Sequence, residues 1–315
     1  MRDGSAPAVR PVLKWAGGKR QLLPHLRRFY PVAFRGYLEP FIGSGAVFFD
    51  LYNRGQLADR PVWLADANPD LIGCYRAIRD SVEEVIGHLE ALAAGHRANG
   101  STHYYDVRDR LFNPLRAELV RMGGPTVTYP AKLAAMLLYL NRTGYNGLFR
   151  LNASGGFNVP AGRYENPRIS DPDNLRRAAT AFAQRNVRLE YRPFADVAAE
   201  ALEDDFVYLD PPYAPISATA RFTSYTAGGF SQADQERLQR TVFGLVSIGC
   251  HVLLSNSTAP EISALYATPA ARAAGLAAHE VPVRRAINSR ATGRRGVTEY
   301  LITNVGARAS VPIDA

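Results

Sequence analysis

The chain has 315 residues, 47% hydrophobic and 21% charged, so it is long and apolar enough for one large or two modest globular domains and is not a disordered or fibrous chain. Its 37 lysines and arginines outweigh 29 acidic residues for a formal +8, a balance that points to a polyanionic partner because cations placed on phosphates release condensed counterions. Cys74 and Cys250 are the only cysteines, which excludes a disulfide framework and a four-cysteine zinc site.

Met1 to Arg10 carries no apolar leader pattern, and no run of about 18 apolar residues follows. A reduced, cytoplasmic protein without a membrane partner is expected. Residues 1–8 and 306–315 read as frayed ends. A helix is predicted from Lys19 to Phe29. The run Tyr37-Leu38-Glu39 reads as a buried strand, and Glu39-Pro40-Phe41-Ile42-Gly43-Ser44-Gly45 as a tight turn into a helix opened by Ala46 to Phe49. A second strand, Val62 to Ala65, ends at Asp66, 21 residues after Gly45. An acidic residue there suits ribose hydroxyls. Position 48 is Phe, so the third glycine of a dinucleotide fingerprint is missing, and a nucleoside cofactor without a pyrophosphate fits better. Alone, the turn reads equally well as a ligand-free strand–helix connection.

From about Cys74 to Gln184 the pattern is helical, with Leu133, Met136, Leu137 and Leu140 on one face. It closes in a stretch rich in Gly, Asn and Arg, Asn141 to Tyr164. Strands resume at Val187 to Tyr191 and Phe206 to Leu209. Directly after the latter stands Asp210-Pro211-Pro212-Tyr213. An Asp at the carboxyl end of a parallel strand faces the ligand crevice of an open α/β sheet. The prolines remove two N–H donors and leave carbonyl acceptors, so the pair suits an –NH₂ group. Tyr213 offers a ring face to a flat base. Gln232 to Val246 is predicted helical behind Ser231 as N-cap. Val252 to Leu254 and Tyr300 to Ile302 complete the strands, and Cys250 reads as a core thiol. The six histidines show no metal-ligand spacing, so no metal is expected.

These segments together resemble the Dam family of DNA adenine methyltransferases, over nearly the whole chain. The resemblance rests on Lys14-Trp15-Ala16-Gly17-Gly18-Lys19, the turn Glu39 to Gly45, Leu64 to Asn68, Leu140 to Leu148, Phe157 to Pro160, Asp210 to Tyr213, Ala286-Ile287-Asn288 and Glu299 to Ile302, with the cofactor motif first and the catalytic motif last. It implies an α/β fold, a Rossmann-like methyltransferase sheet with a mostly helical target-recognition insertion. The expected division is a catalytic domain of residues 1–75 and 185–305 and a DNA-recognition domain of residues 76–184.

The resemblance also implies roles. Trp15, Lys19, Phe41, Gly43, Gly45, Asp66 and Asp210 would line the site for S-adenosyl-L-methionine, whose product is S-adenosyl-L-homocysteine. Asp210, Pro211, Pro212 and Tyr213 would carry catalysis on a base flipped out of the stack, with direct in-line transfer to adenine N6. Lys14, Arg142, Asn146, Leu148, Arg150, Asn152, Pro160 and Tyr164 would contact double-stranded DNA, and the match at Lys14, Leu148, Arg150, Pro160 and Tyr164 implies GATC as the site. Asp196 is a secondary candidate for the cofactor adenine. The enzyme is expected to act as a monomer. An RNA or protein-amide methyltransferase, and a non-catalytic nucleic-acid binder on the same fold, are the competing readings.

Overall fold

The computed structural model describes residues 7–15, 17–123, 129–214, 230–283 and 297–308. The motif Ala286-Ile287-Asn288 and most of both expected frayed ends lie outside the described residues. Among these residues seven strands are present: β1 (Tyr37–Glu39), β2 (Val62–Asp66), β3 (Val187–Tyr191), β4 (Phe206–Leu209), β5 (His251–Ser257), β6 (Ala277–Val283) and β7 (Val297–Thr303). They form one sheet in the order β3-β2-β1-β4-β5-β7-β6. β4 runs parallel to both β1 and β5, while β7 is antiparallel to β5 and β6. The mixed α/β fold with a Rossmann-like methyltransferase sheet is the one expected.

Every strand read from the sequence is there, and β6 is additional. Its residues Ala277-Ala278-His279-Glu280-Val281-Pro282-Val283 lack the apolar signature of a central strand, because it is the sheet edge and pairs with β7 alone among the described strands. An edge also tolerates Pro282, which has no N–H for a ladder. The single helix expected over Lys19–Phe29 is instead a 3₁₀ turn (Lys19–Gln21), four α-helical residues (Leu23–Leu26) and another 3₁₀ turn (Arg27–Phe29), with Pro24 in the first turn of the α-helical piece. Between Cys74 and Gln184 the chain is mostly helical: Val82–Asp106, Asn113–Gly123, Ala131–Thr143 and Pro172–Phe182. The helix Ala131–Thr143 is buried on more than the predicted face, since Ala134, Ala135, Leu138 and Tyr139 are covered as fully as Leu133 and Leu137.

Backbone contacts divide the chain into two interleaved compact units. One contains residues 1–18, 42–59 and 64–192; the other contains residues 19–41, 60–63 and 193–315. In the second, Phe206 of β4 is surrounded by the rings of Tyr30, Phe34 and Tyr37. The helix Gln232–Ser247 begins with the capping box Ser231–Asp234, so Ser231 is the N-cap read from the sequence.

In the first unit, Phe182 stacks on Phe48 and Tyr75 within the core. Residues 9–14 are anchored by buried Val9, Val12 and Leu13 but belong to no strand. Asparagine side chains pair with their backbone instead. The Asn53 carboxamide accepts the Val9 N–H and donates to the Val9 carbonyl, both at 2.9 Å. Asn174 does the same for Arg10 at 2.9 and 2.8 Å. Each is a cyclic pair of the kind a neighbouring strand would make, and truncation leaves two backbone groups unpaired. Asn174→Ala is therefore expected to lower the unfolding free energy by about 1–3 kcal/mol. Urea denaturation with an unchanged slope and a lower midpoint checks this; an unmoved midpoint contradicts it.

Candidate functional site

In the first unit, the turn after β1 enters the helix Ala46–Asn53 through Gly43 and Gly45, both left-handed at φ 46° and 68°. A Cβ on Gly45 would also press on Phe49 at 3.2 Å. The Asp66 carboxylate ends β2 and receives the Gly43 N–H at 3.1 Å and the Asn68 N–H at 2.9 Å. The Tyr75 hydroxyl donates to the Gly43 carbonyl at 2.7 Å, so Gly43 is held through both its N–H and its carbonyl. Burial pushes the Asp66 carboxyl up to about 6, and the backbone donors of Gly43, Asn68 and Ala67 oppose that rise. At neutral pH it is an anion with lone pairs to spare beyond its backbone bonds.

The segment 141–164 lies in the same unit. Buried Asn141 accepts the Lys14 N–H at 2.8 Å and donates to the carbonyls of Lys14 at 2.7 Å and Gly147 at 2.8 Å. It thus positions Lys14 and is not itself exposed for reading. Gly147 is left-handed and packs on Lys14 so closely that a Cβ would collide with that side chain. The Lys14 ammonium sits 4.5 Å from the ring centre of exposed Tyr164. Trp15 stacks on Phe149.

Residues 150–158 form a small hairpin. The Asn158 N–H donates to the Arg150 carbonyl at 3.1 Å, and Arg150 Nε donates to Asn158 Oδ1 at 2.7 Å. The exposed guanidinium is oriented across the hairpin while N–H groups remain on its outer side. Asn152 Oδ1 accepts from the N–H groups of Ser154 and Gly156 and the Ser154 hydroxyl, which builds the hairpin tip.

Among the expected DNA contacts, Lys14, Asn146, Arg150, Asn152, Pro160 and Tyr164 are exposed and Leu148 is half-buried. Arg142 differs: it is half-buried and its guanidinium donates to the Val12 carbonyl. Tyr145, next to left-handed Asn146, is 51% exposed, and its sequence context does not single it out.

In the second unit, Asp210 follows β4 at its carboxyl end. Its Oδ1 lies 2.8 Å from the ammonium of buried Lys19, which also sits 4.5 Å from the Tyr213 ring centre. The Tyr213 hydroxyl donates to Glu299 Oε2 on β7 at 2.7 Å. The carbonyls flanking Tyr213 are held too: Gln235 donates to that of Pro212 at 3.2 Å and Ser257 to that of Ala214 at 2.8 Å. Asn256 fixes Gln235 in turn at 3.0 Å. Burial raises the Asp210 carboxyl to about 6; Lys19 pulls it down and Glu299 pushes it up. Phe41 stacks on Phe194 in this unit, centroids 5.2 Å apart. Among the described residues no group of three or more His, Cys, Asp or Glu side chains is arranged to hold a metal ion, and no helix is long and apolar enough to cross a membrane.

The glycine turn, the acidic end of β2, the glycine-bearing hairpin and the Asp-Pro-Pro-Tyr loop follow one another along the chain in the order that the resemblance implies. The model of the D12 class N6 adenine-specific DNA methyltransferases matches residues 15–287. The chain belongs to that family. It is 37% identical to the type II methyltransferase M1.LlaDCHI of Lactococcus lactis subsp. cremoris, covering 95% of this chain and 96% of that one. It is 35% identical to the type II methyltransferase M.MjaIII of Methanocaldococcus jannaschii over 94% and 99%, and 36% identical to the DNA adenine methylase of Escherichia coli K12 over 93% and 94%. Membership makes this protein an adenine-specific DNA methyltransferase and implies S-adenosylmethionine and DNA as its substrates.

In the sequence of this methyltransferase, Glu299 has no role beyond its place in a family segment, because its partner Tyr213 lies 86 residues away. Glu299→Gln keeps an acceptor for Tyr213 but removes a negative charge that disfavours ionised Asp210. With saturating cofactor, the acid limb of the single-turnover rate is then expected to move to lower pH. Glu299→Ala removes acceptor and charge together and is expected to slow transfer by about tenfold or more. A limb that stays in place in Glu299→Gln would remove Glu299 from the electrostatics of the site.

Proposed function

We propose that this methyltransferase modifies adenine N6 within GATC in duplex DNA, acting on a base turned out of the helix. The observation that carries the catalytic part is Asp210, a half-buried carboxylate paired with Lys19 beside a Tyr213 ring that is fixed at its hydroxyl and at both neighbouring carbonyls. A base inside the stack presents no free amine, so the target nucleotide must leave it. The Tyr213 ring stacks on the base. Asp210 and the Pro211 carbonyl accept the two amine hydrogens, which favours pyramidal nitrogen and stabilises the positive charge that grows during attack.

The donor set supports S-adenosylmethionine at the Gly43–Asp66 turn. A carboxylate with spare lone pairs suits a ribose diol and repels a phosphate. Trp15, Lys19, Phe41, Gly43, Gly45, Asp66 and Asp210 are assigned to hold it. When bound, the cofactor supplies a methyl group on a sulfonium, transferred directly and in line to the amine. Residues 1–75 and 185–305 carry the cofactor and the chemistry, and residues 76–184 read DNA with help from Lys14.

For specificity, Arg150 suits the O6 and N7 acceptors of guanine and Leu148 the thymine methyl, while Lys14 and Tyr164 take the first guanine and Pro160 lies in the same segment. Asn146 and Asn152 are assigned to the same interface. Arg142 is kept as a DNA contact on resemblance alone.

Two outcomes test this reading. Plasmid treated with the enzyme and S-adenosylmethionine is expected to resist a nuclease blocked by GATC methylation and to be cut by one that requires it. Full cutting by the blocked nuclease, with methyladenine elsewhere, would overturn GATC and keep the methyltransferase. Asp66→Ala is expected to weaken cofactor binding by about 1.5–3 kcal/mol; unchanged affinity in calorimetry would take Asp66 out of the cofactor site.

A further inference from the structure

The hairpin 150–158 has one edge that pairs with no strand among the described residues. Leu151 and Phe157 are opposed across it, and the hairpin's own hydrogen bonds run from Asn152 to Gly156 and from Asn158 to Arg150. Leu151 and Phe157 are therefore a non-hydrogen-bonded pair, and the N–H and carbonyl of Phe157 point outward. By the two-residue period of a strand the carbonyl of Val159 shares that edge, and the carbonyl of Gly155 belongs to the hairpin tip, where Gly155 is left-handed at φ 79°.

All three positions are met by side chains of the helical run that precedes the hairpin in sequence. Asn113 accepts the Phe157 N–H at 2.8 Å and donates to the Phe157 carbonyl at 3.0 Å. Arg116 donates to the Gly155 carbonyl at 2.7 Å. Tyr104 and Arg108 donate to the Val159 carbonyl at 2.9 and 3.0 Å.

The winding of the helix brings these donors together. Val107–Phe112 is a π turn, in which the Asn113 N–H bonds to the Arg108 carbonyl. A bond spanning five residues puts Arg108 and Asn113 on one face, where an α-helical turn would rotate Asn113 away. Arg116 is also fixed at its other end: Nε and Nη2 clamp the buried Asp70 carboxylate at 2.7 and 2.8 Å. Asp70 lies in the first turn of the helix Pro69–Asp80, whose N-cap Asn68 accepts the Asp70 N–H at 3.0 Å.

We propose that Asn113, with Arg116 and Arg108 beside it on the helix, is a positioning residue for sequence discrimination: it stands in for a third strand and sets the height at which the hairpin presents Arg150. The proposal rests on the reading that Arg150 contacts a base. The Asn113 side chain bonds to the Phe157 backbone and not to Asp66, Asp210 or Tyr213, so its loss is expected to act on discrimination and not on chemistry.

The test is Asn113→Ala in the full chain, on duplexes carrying the wild-type site and the same site changed at the base assigned to Arg150, with Arg150→Ala alongside. The site is first mapped with wild-type enzyme, so a site other than GATC does not affect the comparison. Asn113→Ala is expected to lower the cognate-to-altered ratio of kcat/KM by about tenfold, with cofactor affinity and the cognate single-turnover rate within about threefold of wild type. A wild-type ratio in Asn113→Ala, with a lowered one in Arg150→Ala, overturns the proposal alone. Wild-type ratios in both overturn the Arg150 reading and this proposal together. If Asn113→Ala does not fold, Asn113→Asp carries the test: it keeps the acceptor for the Phe157 N–H and loses the donor, so a lowered ratio supports the proposal and a wild-type ratio overturns it.

Discussion

An extended segment with no strand beside it must satisfy its N–H and carbonyl groups in some other way, because a buried backbone group left unpaired costs about 1–3 kcal/mol. In the first unit asparagine provides the answer at Val9, Arg10, Lys14 and Phe157, through Asn53, Asn174, Asn141 and Asn113. A carboxamide carries an acceptor and a donor side by side, the same pair that one residue of a neighbouring strand presents. The segments held in this way carry Lys14 and the hairpin with Arg150. Neither is part of the sheet, yet both are tied to helices of the unit.

The second unit solves a different problem. Asp210 is half-buried, and the desolvation favours the neutral acid, while Lys19 at 2.8 Å opposes that rise and favours the anion. Asp66 reaches a similar value by another route, with backbone N–H groups in place of a cation. Fixed backbone dipoles suit a carboxylate that orients a turn. A full charge suits one proposed to face a reacting amine. Tyr213 adds the flat surface, and its hydroxyl and flanking carbonyls are fixed by Glu299, Gln235 and Ser257.

Much of this is legible in the sequence. Apolar runs locate six of the seven strands among the described residues, and the edge strand β6 escapes because Pro282 and the charged Glu280 break the pattern. Glu39 to Gly45, Asp66 and Asp210 to Tyr213 stand out because each is local: a turn, a strand end, a rigid loop. What cannot be read is pairing at long range. Asn141 sits in a polar stretch that suggests base contacts, whereas its partner Lys14 is 127 residues away. Asn113 carries no signal, since its use depends on a π turn that periodicity does not reveal. Arg142 shows the converse, a basic residue in the same polar stretch whose guanidinium bonds to the Val12 carbonyl.

The claim that asparagine carboxamides replace strand partners is tested most directly by amide hydrogen exchange, residue by residue, in the wild-type chain and in Asn141→Ala. The Val9, Arg10, Lys14 and Phe157 amides are expected to be protected although none lies in a strand or helix, and Asn141→Ala is expected to release Lys14 while Phe157 stays protected. Exchange of these four amides at the rate of exposed loop amides in the wild-type chain would contradict the account.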